Sequence, residues 1–272
     1  MIHTAFVIIN YHKEQELIDF VETCLRGQLN AERHLIIVDN GSDSDLIAER
    51  LHGDMHITLL KPGKNLGYFG AAKHAYDYLV SKQGHSEIFI VSNFDLEFDD
   101  KCFLSSIESV CSSVEPAVIG PDIHSSLSGS ALNPIYSRRL SLGKIQMLLF
   151  VTSFYPLFLF YQWLHHFKRK ANGSQAIRNS KSEDVYAVHG SFMIFRRSYF
   201  ENGGSLNFES FLYGEELFVA EECRRIGLRI QFEPSLKIIH REHTTTGVYK
   251  NTSHMRYLHQ SLRLIRHKYY AS

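Results

Sequence analysis

The 272 residues are enough for one large α/β domain with a sizeable buried core. Lysine and arginine together number 29, as do aspartate and glutamate, so no overall field attracts the chain to nucleic acid. The four cysteines stand singly and form no C-x-x-C pair, which favours a reducing compartment over a disulfide framework.

The first half of the chain alternates apolar runs with helical segments. Helices are predicted to begin near Glu14, Ser44 and Tyr68, and four apolar runs predict strands, namely "AFVII", "HLIIVD", "HITLL" and "EIFIVS". Continuous apolar strands separated by helices indicate βαβ units, hence a Rossmann-like parallel sheet covered on both faces. The first run is too short for a secretory signal, so we expect a protein that is not exported.

Polar residues follow each of these four strands. In open parallel sheets, ligands bind outside the carboxyl ends of the strands. The residues at those positions are, in chain order, "NYHKE", "DNGSD", "KPGKNLGYFG" and "NFD". The sequence therefore predicts a ligand site at this edge of the sheet.

Two of these stretches suit a nucleotide. Asp39 ends the second strand, where its carboxylate can accept a hydrogen bond from a base or a ribose hydroxyl, and the alternative is an ordinary capped helix start. Gly67 and Gly70 open a helix whose amides and dipole can face an anion. The glycine pair is neither a Walker loop nor a dinucleotide fingerprint, so by itself it is weak evidence.

The "NFD" stretch predicts a metal site. Asn93 and Asp95 place an amide and a carboxylate at the end of a buried strand, and both supply the hard oxygen ligands that Mg²⁺ or Mn²⁺ prefers. One carboxylate suffices when substrate phosphates complete the coordination. The alternative is a simple turn, because Asn and Asp are common turn residues.

Residues 145 to 164 contain no charge in twenty positions. That length permits a membrane span, but a single crossing would place "NFD" and the later "GEE" on opposite sides of the bilayer. Both flanks are also basic, whereas a span usually has its positive excess on one side. We therefore expect an in-plane helix or a shallow hairpin bent at Pro156, and a buried core helix or an oligomer interface is the alternative.

The second half supplies further candidates. It begins with a strand-like "VYAVHGSFMIFRR", and "LYGEEL" then places Glu215 and Glu216 at the start of a helix. Acidic side chains at a helix start either interact favourably with the helix dipole, or one of them lies in a cleft and acts as a general base. His240 ends the later strand "LKIIH" and His243 follows it, and each is either an ordinary histidine or a metal ligand.

Taken in order, these segments resemble the family 2 glycosyltransferases of the GT-A fold, in particular the bacterial rhamnosyltransferase-like enzymes of polysaccharide assembly. The resemblance covers most of residues 4 to 245 and begins with "INYHKE" and "VDNGSDSD". It implies that Asp39 contacts the base of a nucleotide sugar. It also implies that the nucleotide and its phosphates are lined by Asn10, Asn40, Asn65, Gly67 and Ala71.

The later motifs of that family have counterparts here. Residues 93 to 95 stand where the family has D-x-D, which leaves Asp95 as the main metal ligand, and residues 190 to 197 match part of the acceptor pocket. The family's "YGED" motif appears here as "YGEE". The second acid of that motif is the usual catalytic base, so the resemblance implies that either Glu216 or Glu215 takes that role. His240 matches a strand-end histidine that binds the metal or a phosphate.

The resemblance implies one α/β domain: a Rossmann-like, mostly parallel sheet flanked by helices, with an apolar helical insertion and a C-terminal helix. Residues 1–120 would bind the nucleotide sugar, 121–183 would form a variable region and 184–245 would carry the acceptor and the base. Residues 246–272 predict a basic aromatic helix, which either packs on the core or faces lipid.

The implied activity is inverting transfer, dependent on Mg²⁺ or Mn²⁺, from a nucleoside-diphosphate sugar to a saccharide acceptor on a lipid carrier. The expected location is the inner face of the cytoplasmic membrane, as a peripheral protein of O-antigen or capsule synthesis, alone, as a homodimer or in an assembly complex. One alternative is a degenerate scaffold subunit. Another is a sugar-phosphate nucleotidyltransferase, although "NYHKEQEL" lacks that class's glycine-rich loop.

Overall fold

The computed structural model describes residues 2–42, 44–51, 53–171, 181–241 and 251–270, with the side chains of residues 165–171 outside the description. The strands are β1 Thr4–Asn10, β2 Arg33–Asp39, β3 Ile57–Leu60, β4 Ile88–Ser92, β5 Leu96–Phe98, β6 Val118–Ser125, β7 Glu183–Val185, β8 Phe192–Arg196 and β9 Ile230–His240. The helices are α1 Glu14–Phe20, α2 Leu46–Leu51, α3 Tyr68–Gln83, α4 Phe103–Ser113, α5 Leu142–Val151, α6 Tyr155–Ala171, α7 Arg197–Glu201, α8 Glu215–Arg225 and α9 Thr252–Tyr269.

The strands form one curled sheet in the order β3-β2-β1-β4-β8-β6-β9-β5, and β7 pairs with β9. The pairs β2–β3, β1–β2 and β1–β4 are parallel, which confirms the predicted βαβ half. Strand β8 lies antiparallel between β4 and β6, so the sheet is mixed, although most of its paired positions are parallel. The ends of β1, β2 and β4 are neighbours in this order, and the chain after β4 crosses to β5, which pairs with the end of β9.

The second half of the sheet differs from the sequence prediction. Strands β5 and β6 were not predicted, and the strand-like run 185–197 is divided, since β7 ends at Val185 and β8 begins at Phe192. The short strand predicted at "LKIIH" is the second part of one longer strand, β9, whose pairing with β6 shifts register between Pro121 and Asp122. A proline removes a ladder donor, which suits a position at such an irregularity.

The core lies on both faces of the sheet. In β1, Ala5 and Val7 belong to the cluster that includes residues of α3 and α8, whereas Phe6 and Ile8 belong to the cluster that includes residues of α1 and α4. Side chains alternate along a strand, so a strand covered on both faces needs apolar residues at every position. This is why the N-terminal strands are continuous apolar runs.

The apolar segment forms two helices rather than one. Helices α5 and α6 meet at 119°, and the break lies at residues 152–154, before Pro156 rather than at it. Pro156 is the second residue of α6, in the first turn, where its missing N–H costs no helical hydrogen bond. Within the described residues no single helix is long and apolar enough to cross a bilayer, while this bent pair has the required length and composition.

Candidate functional site

The carboxyl ends of the parallel strands bring the predicted residues together. The β1–β2 register places Asn10 beside Asp39, and the β1–β4 register ends with Ile8 beside Ser92, immediately before Asn93. At the far side of the sheet, His240 pairs with Leu96, the residue after Asp95. Strand pairing thus assembles one polar region from residues that are far apart in the chain.

Asp39 and Asn10 form one end of this region, the end at which the sequence predicts nucleotide contact. Both are buried, and the Asn10 side-chain amide donates a hydrogen bond of 3.1 Å to Asp39 Oδ1. The other carboxylate oxygen, Asp39 Oδ2, is buried and accepts no hydrogen bond from the described residues. A buried acceptor without a donor is costly in a folded protein, so this oxygen fits an N–H or O–H group of a ligand.

Asn40 and Asn65 shape the loop that follows. The Asn40 side-chain amide donates to Asn65 Oδ1 at 2.9 Å and to the Gly67 carbonyl at 3.1 Å. In return, the backbone N–H of Leu66 donates to Asn40 Oδ1 at 2.7 Å, and that of Gly67 donates to Asn65 Oδ1 at 2.9 Å. These bonds fix the turn into α3, so the two amides position the N-terminus of that helix.

Gly67 is required at its position for two reasons. Its φ of +75° lies in the left-handed region, and a Cβ there would lie 2.2 Å from the Phe211 carbonyl oxygen. That carbonyl accepts a 3.2 Å hydrogen bond from the backbone N–H of Tyr68. The start of α3 is therefore locked to the segment that leads to Glu215.

We expect Gly67→Ala to destabilise the fold by about 1–3 kcal/mol from backbone strain alone, and by more once the Phe211 carbonyl is displaced. Urea unfolding of the variant measures the loss. Gly63→Ala is the matched control, because Gly63 has a φ of +73° but nothing within 4 Å of the added Cβ. Equal losses in the two variants would show that the contact with Phe211 contributes nothing.

Asp95 and His240 form the predicted metal pair. Asp95 Oδ1 lies 3.3 Å from His240 Nε2, and the two side chains are 20% and 12% exposed. The backbone N–H of Arg241 donates to the Asp95 carbonyl at 2.8 Å, which holds the turn before β5 against the end of β9. Both ring nitrogens of His240 are buried and make no hydrogen bond to the described residues.

This donor set fits a divalent cation. A carboxylate and an imidazole suit Mn²⁺, and buried ring nitrogens that make no hydrogen bond to the described residues fit coordination to a cation. Within the described ranges, no three His, Cys, Asp or Glu side chains are grouped so that they could hold a metal ion. His243 lies outside the described residues.

The two candidate bases have different surroundings. Gly214, with a φ of +91°, caps α8, and the buried Glu215 follows it. Burial, with the charge of Glu216 as a second cause, raises the pKa of Glu215 to about 8. Glu216 is only half-buried, and its Oε1 accepts a hydrogen bond of 3.3 Å from the backbone N–H of Gly190. A carboxyl with a pKa of about 8 is protonated at neutral pH and therefore cannot take up a proton there.

Tyr68 is a site residue that the sequence analysis did not single out. Its hydroxyl donates to the Gly190 carbonyl at 3.1 Å. Burial raises the pKa of this phenol well above its ordinary value, and the charges of Glu215, Asp95 and Glu216 raise it further. Tyr68 is therefore near enough to all three carboxylates for their charges to act on its hydroxyl. The sequence feature that could have identified it is its position immediately after Gly67, as the first residue of α3.

The raised pKa of Glu215 predicts a pH-dependent stability. Below about pH 4.5 the Glu215 carboxyl is protonated in both the folded and the unfolded chain. Between pH 4.5 and 8 it loses its proton only in the unfolded chain. Relative to Glu215→Gln, the wild-type free energy of unfolding should fall by up to about 1.4 kcal/mol per pH unit in that interval and then level off. Urea unfolding across the interval measures the difference. Glu209→Gln, the same substitution at an exposed position, is the control for the exchange of acid for amide.

Comparison with characterised proteins identifies relatives. Over 226 residues the chain is 24% identical to the low-salt glycan biosynthesis hexosyltransferase Agl10 of Haloferax volcanii, covering 83% of this chain and 63% of that protein. The chain thus spans less than two thirds of that relative's length.

Two solved structures are similar in fold. GalNAc-T7 with UDP, GalNAc and Mn²⁺ has a TM-score of 0.53 at 11% identity, covering 89% of this chain and 44% of that chain. S. aureus TarS 1-349 has a TM-score of 0.55 at 12% identity, covering 98% of this chain and 72% of that chain. At these identities the similarity shows the fold alone, which is the GT-A fold that the sequence analysis expected.

The family description "Glycosyl transferase family 2" matches residues 5–204, a range that contains β1 without its first residue, all of β2 to β8, and the polar strand ends around Asn10, Asp39 and Asp95. This match covers well over half of the chain. The protein therefore belongs to glycosyl transferase family 2.

Proposed function

We propose that the protein transfers a sugar from a nucleoside-diphosphate sugar to a saccharide acceptor, with inversion at the anomeric carbon and with a divalent cation. The observation that carries this proposal is that one short segment, residues 190–191, contacts both parts of the site. The backbone N–H of Gly190 donates to Glu216 Oε1 at 3.3 Å. The carbonyl of Ser191 accepts a 2.8 Å hydrogen bond from the backbone N–H of Asn93, in the predicted metal turn. A leaving-group site and a base at one sheet edge are what a single displacement requires.

The donor would bind along the strand ends. Asp39 Oδ2 accepts from the base or the ribose, since this buried oxygen has no donor in the described residues. The N-terminus of α3, positioned by Asn40 and Asn65, faces the phosphates with its backbone N–H groups and dipole.

Asp95 and His240 would hold Mg²⁺ or Mn²⁺, with Asn93 as the adjacent amide. Substrate phosphates often complete the coordination of such ions, which suits a site with two close protein ligands. When bound, the cation neutralises the charge that develops on the departing nucleoside diphosphate.

Glu216 would act as the general base. Its carboxylate takes the proton of an acceptor hydroxyl, and the hydroxyl oxygen forms a bond to the anomeric carbon. The bond from that carbon to the diphosphate oxygen breaks on the opposite face, so the configuration inverts. Protonated Glu215 supports the same helix start without competing for the proton.

We further propose a hexosyl or deoxyhexosyl donor, as in the rhamnosyltransferase-like members, and an acceptor on a lipid carrier in surface polysaccharide synthesis. The location would be the cytoplasmic face of the membrane. Support comes from a relative named as a hexosyltransferase of glycan biosynthesis. The exposed apolar face of α5 and α6, described below, gives further support.

Thermal unfolding tests the donor proposal. We expect one class among UDP-, dTDP- and GDP-sugars to raise the melting temperature, and to do so only with Mn²⁺ or Mg²⁺, because a ligand that binds the native state stabilises it by mass action. No shift with any donor would contradict the proposal and favour a scaffold subunit.

A further inference from the structure

Helices α5 and α6 expose a row of apolar side chains to solvent. Phe150, Phe154 and Phe160 are 69%, 63% and 54% exposed, and Trp163 and Leu164 are 42% and 38% exposed. Phe160 and Trp163 stack with ring centroids 5.8 Å apart. We call these five residues the hairpin face. Single exposed apolar residues are ordinary, but several large ones exposed within 15 residues favour an interaction surface.

The opposite side of the same helices is packed. Ile145, Leu149, Val151 and Phe158 are buried, and Val151 and Phe158 cluster with Met255 of α9. Thr152 Oγ1 lies 2.9 Å from His259 Nδ1, a further link to α9. A buried core helix, the alternative given in the sequence analysis, therefore describes only the side of α5 and α6 that faces α9. The hairpin face is held outward by a packed support.

Charge is distributed very unevenly along the sequence that includes these helices. Residues 123–182, which include α5 and α6, contain eight Lys and Arg and no Asp or Glu, and residues 243–272, which include α9, contain five and none. Because the whole chain balances at 29 of each sign, the other residues carry an excess of acid. Arg256, Arg263 and Arg266 are exposed on α9 and form no ion pair with the described residues.

We propose that the hairpin face docks on an anionic lipid surface, with α5 and α6 lying in the plane of the interface. A helix of 10 residues is about 15 Å long, half the hydrocarbon thickness, and the 119° turn prevents the pair from continuing as a straight span. Aromatic residues beside basic ones are typical of interfacial helices. Two copies meeting at this face would bring like charges together, which favours lipid over self-association.

Docking here would orient the catalytic site. The buried side of α9 contacts the loop before the candidate bases: Ser261 Oγ donates to the Leu212 carbonyl at 3.2 Å, and the His254 and Tyr213 rings lie 3.8 Å apart. Helix α9 therefore connects the hairpin face to the acceptor side of the site. The inference deepens the proposed function, on which its purpose rests, because a lipid-linked acceptor would be presented at that side.

Trp163 is the only tryptophan in the chain and reports on the hairpin face directly. The full chain is mixed with phosphatidylcholine vesicles, with or without phosphatidylglycerol. We expect the protein to co-sediment with the vesicles, its tryptophan emission to shift to the blue, and brominated acyl chains to quench that emission. The vesicle affinity should be at least about tenfold higher with the anionic lipid, and salt should lower it.

Paired serine variants locate the contact. Phe150→Ser with Phe154→Ser should lower vesicle affinity at least about tenfold, because two aromatic side chains no longer leave water. Met55→Ser with Leu127→Ser is the matched control, since these side chains are 81% and 61% exposed elsewhere on the surface, and it should leave the affinity unchanged.

Three outcomes would overturn the inference: equal affinity of both double variants, no quenching by brominated lipid, or a blue shift that depends on protein concentration without vesicles, which would indicate a second copy. The donor-induced thermal shift, measured on the same samples, separates the two proposals. Lost vesicle binding with an intact shift counts against docking alone, whereas vesicle binding without a shift counts against the transferase.

Discussion

Glu216→Gln is expected to lower kcat by about 10²- to 10⁴-fold while leaving donor affinity nearly unchanged. The glutamine keeps the size of the side chain and can still accept the hydrogen bond from the Gly190 backbone N–H, so the local geometry is retained. What it loses is the ability to take a proton from the acceptor hydroxyl. Initial rates at saturating donor and acceptor measure kcat, and titration calorimetry with the nucleotide measures donor affinity.

Glu215→Gln is the matched control for that prediction. Glu215 is the adjacent residue of the same helix turn, but its burial keeps it protonated at neutral pH, so an amide there should change kcat far less. If Glu215→Gln loses turnover and Glu216→Gln retains it, the two roles are reversed. If both variants also lose donor affinity to the same extent, the helix start binds the donor and does not act on the acceptor.

Asp95→Ala is expected to weaken metal-dependent donor binding by about 10²-fold or more, because the main carboxylate ligand of the cation is removed. Its partner His240 would remain as a single protein ligand at the end of β9. The measurement is donor affinity by calorimetry at a series of Mn²⁺ concentrations. The wild type should bind more tightly as Mn²⁺ rises, and the variant should show little dependence.

Asp99→Ala is the control for Asp95→Ala, since Asp99 is an exposed acid that follows β5 and lies outside the polar strand ends. It should retain the wild-type dependence on Mn²⁺. Unchanged metal dependence in Asp95→Ala would contradict the assignment of Asp95 as a ligand. An equal loss in Asp99→Ala would indicate a general effect of negative charge near the donor.

The local sequence was sufficient for the N-terminal half of the fold. Apolar runs identified β1 to β4, and the polar residues after them identified Asp39 and Asp95 as strand-end positions. These features are local, because a buried parallel strand needs apolar side chains on both faces and its end is marked by polar turn residues.

The second half was predicted less well, for a physical reason. Strand β8 is short and buried and pairs antiparallel with both β4 and β6, and β6 itself was not predicted. These pairings depend on segments that are distant in the chain, and strand propensity responds strongly to such tertiary contacts. The predicted position of the bend, at Pro156, was also wrong. The break comes before α6, because Pro156 is accommodated in the first turn of that helix.

The sequence by itself determined the family resemblance, the type of sheet and the chemical identity of the candidate groups, since these depend on residue types at local spacing. Only the tertiary structure decided which groups meet. It placed Asp95 beside His240, and it buried Glu215 while leaving Glu216 partly exposed. It also decided which side of α5 and α6 faces solvent, because burial is a property of packing against distant elements and not of the residues alone.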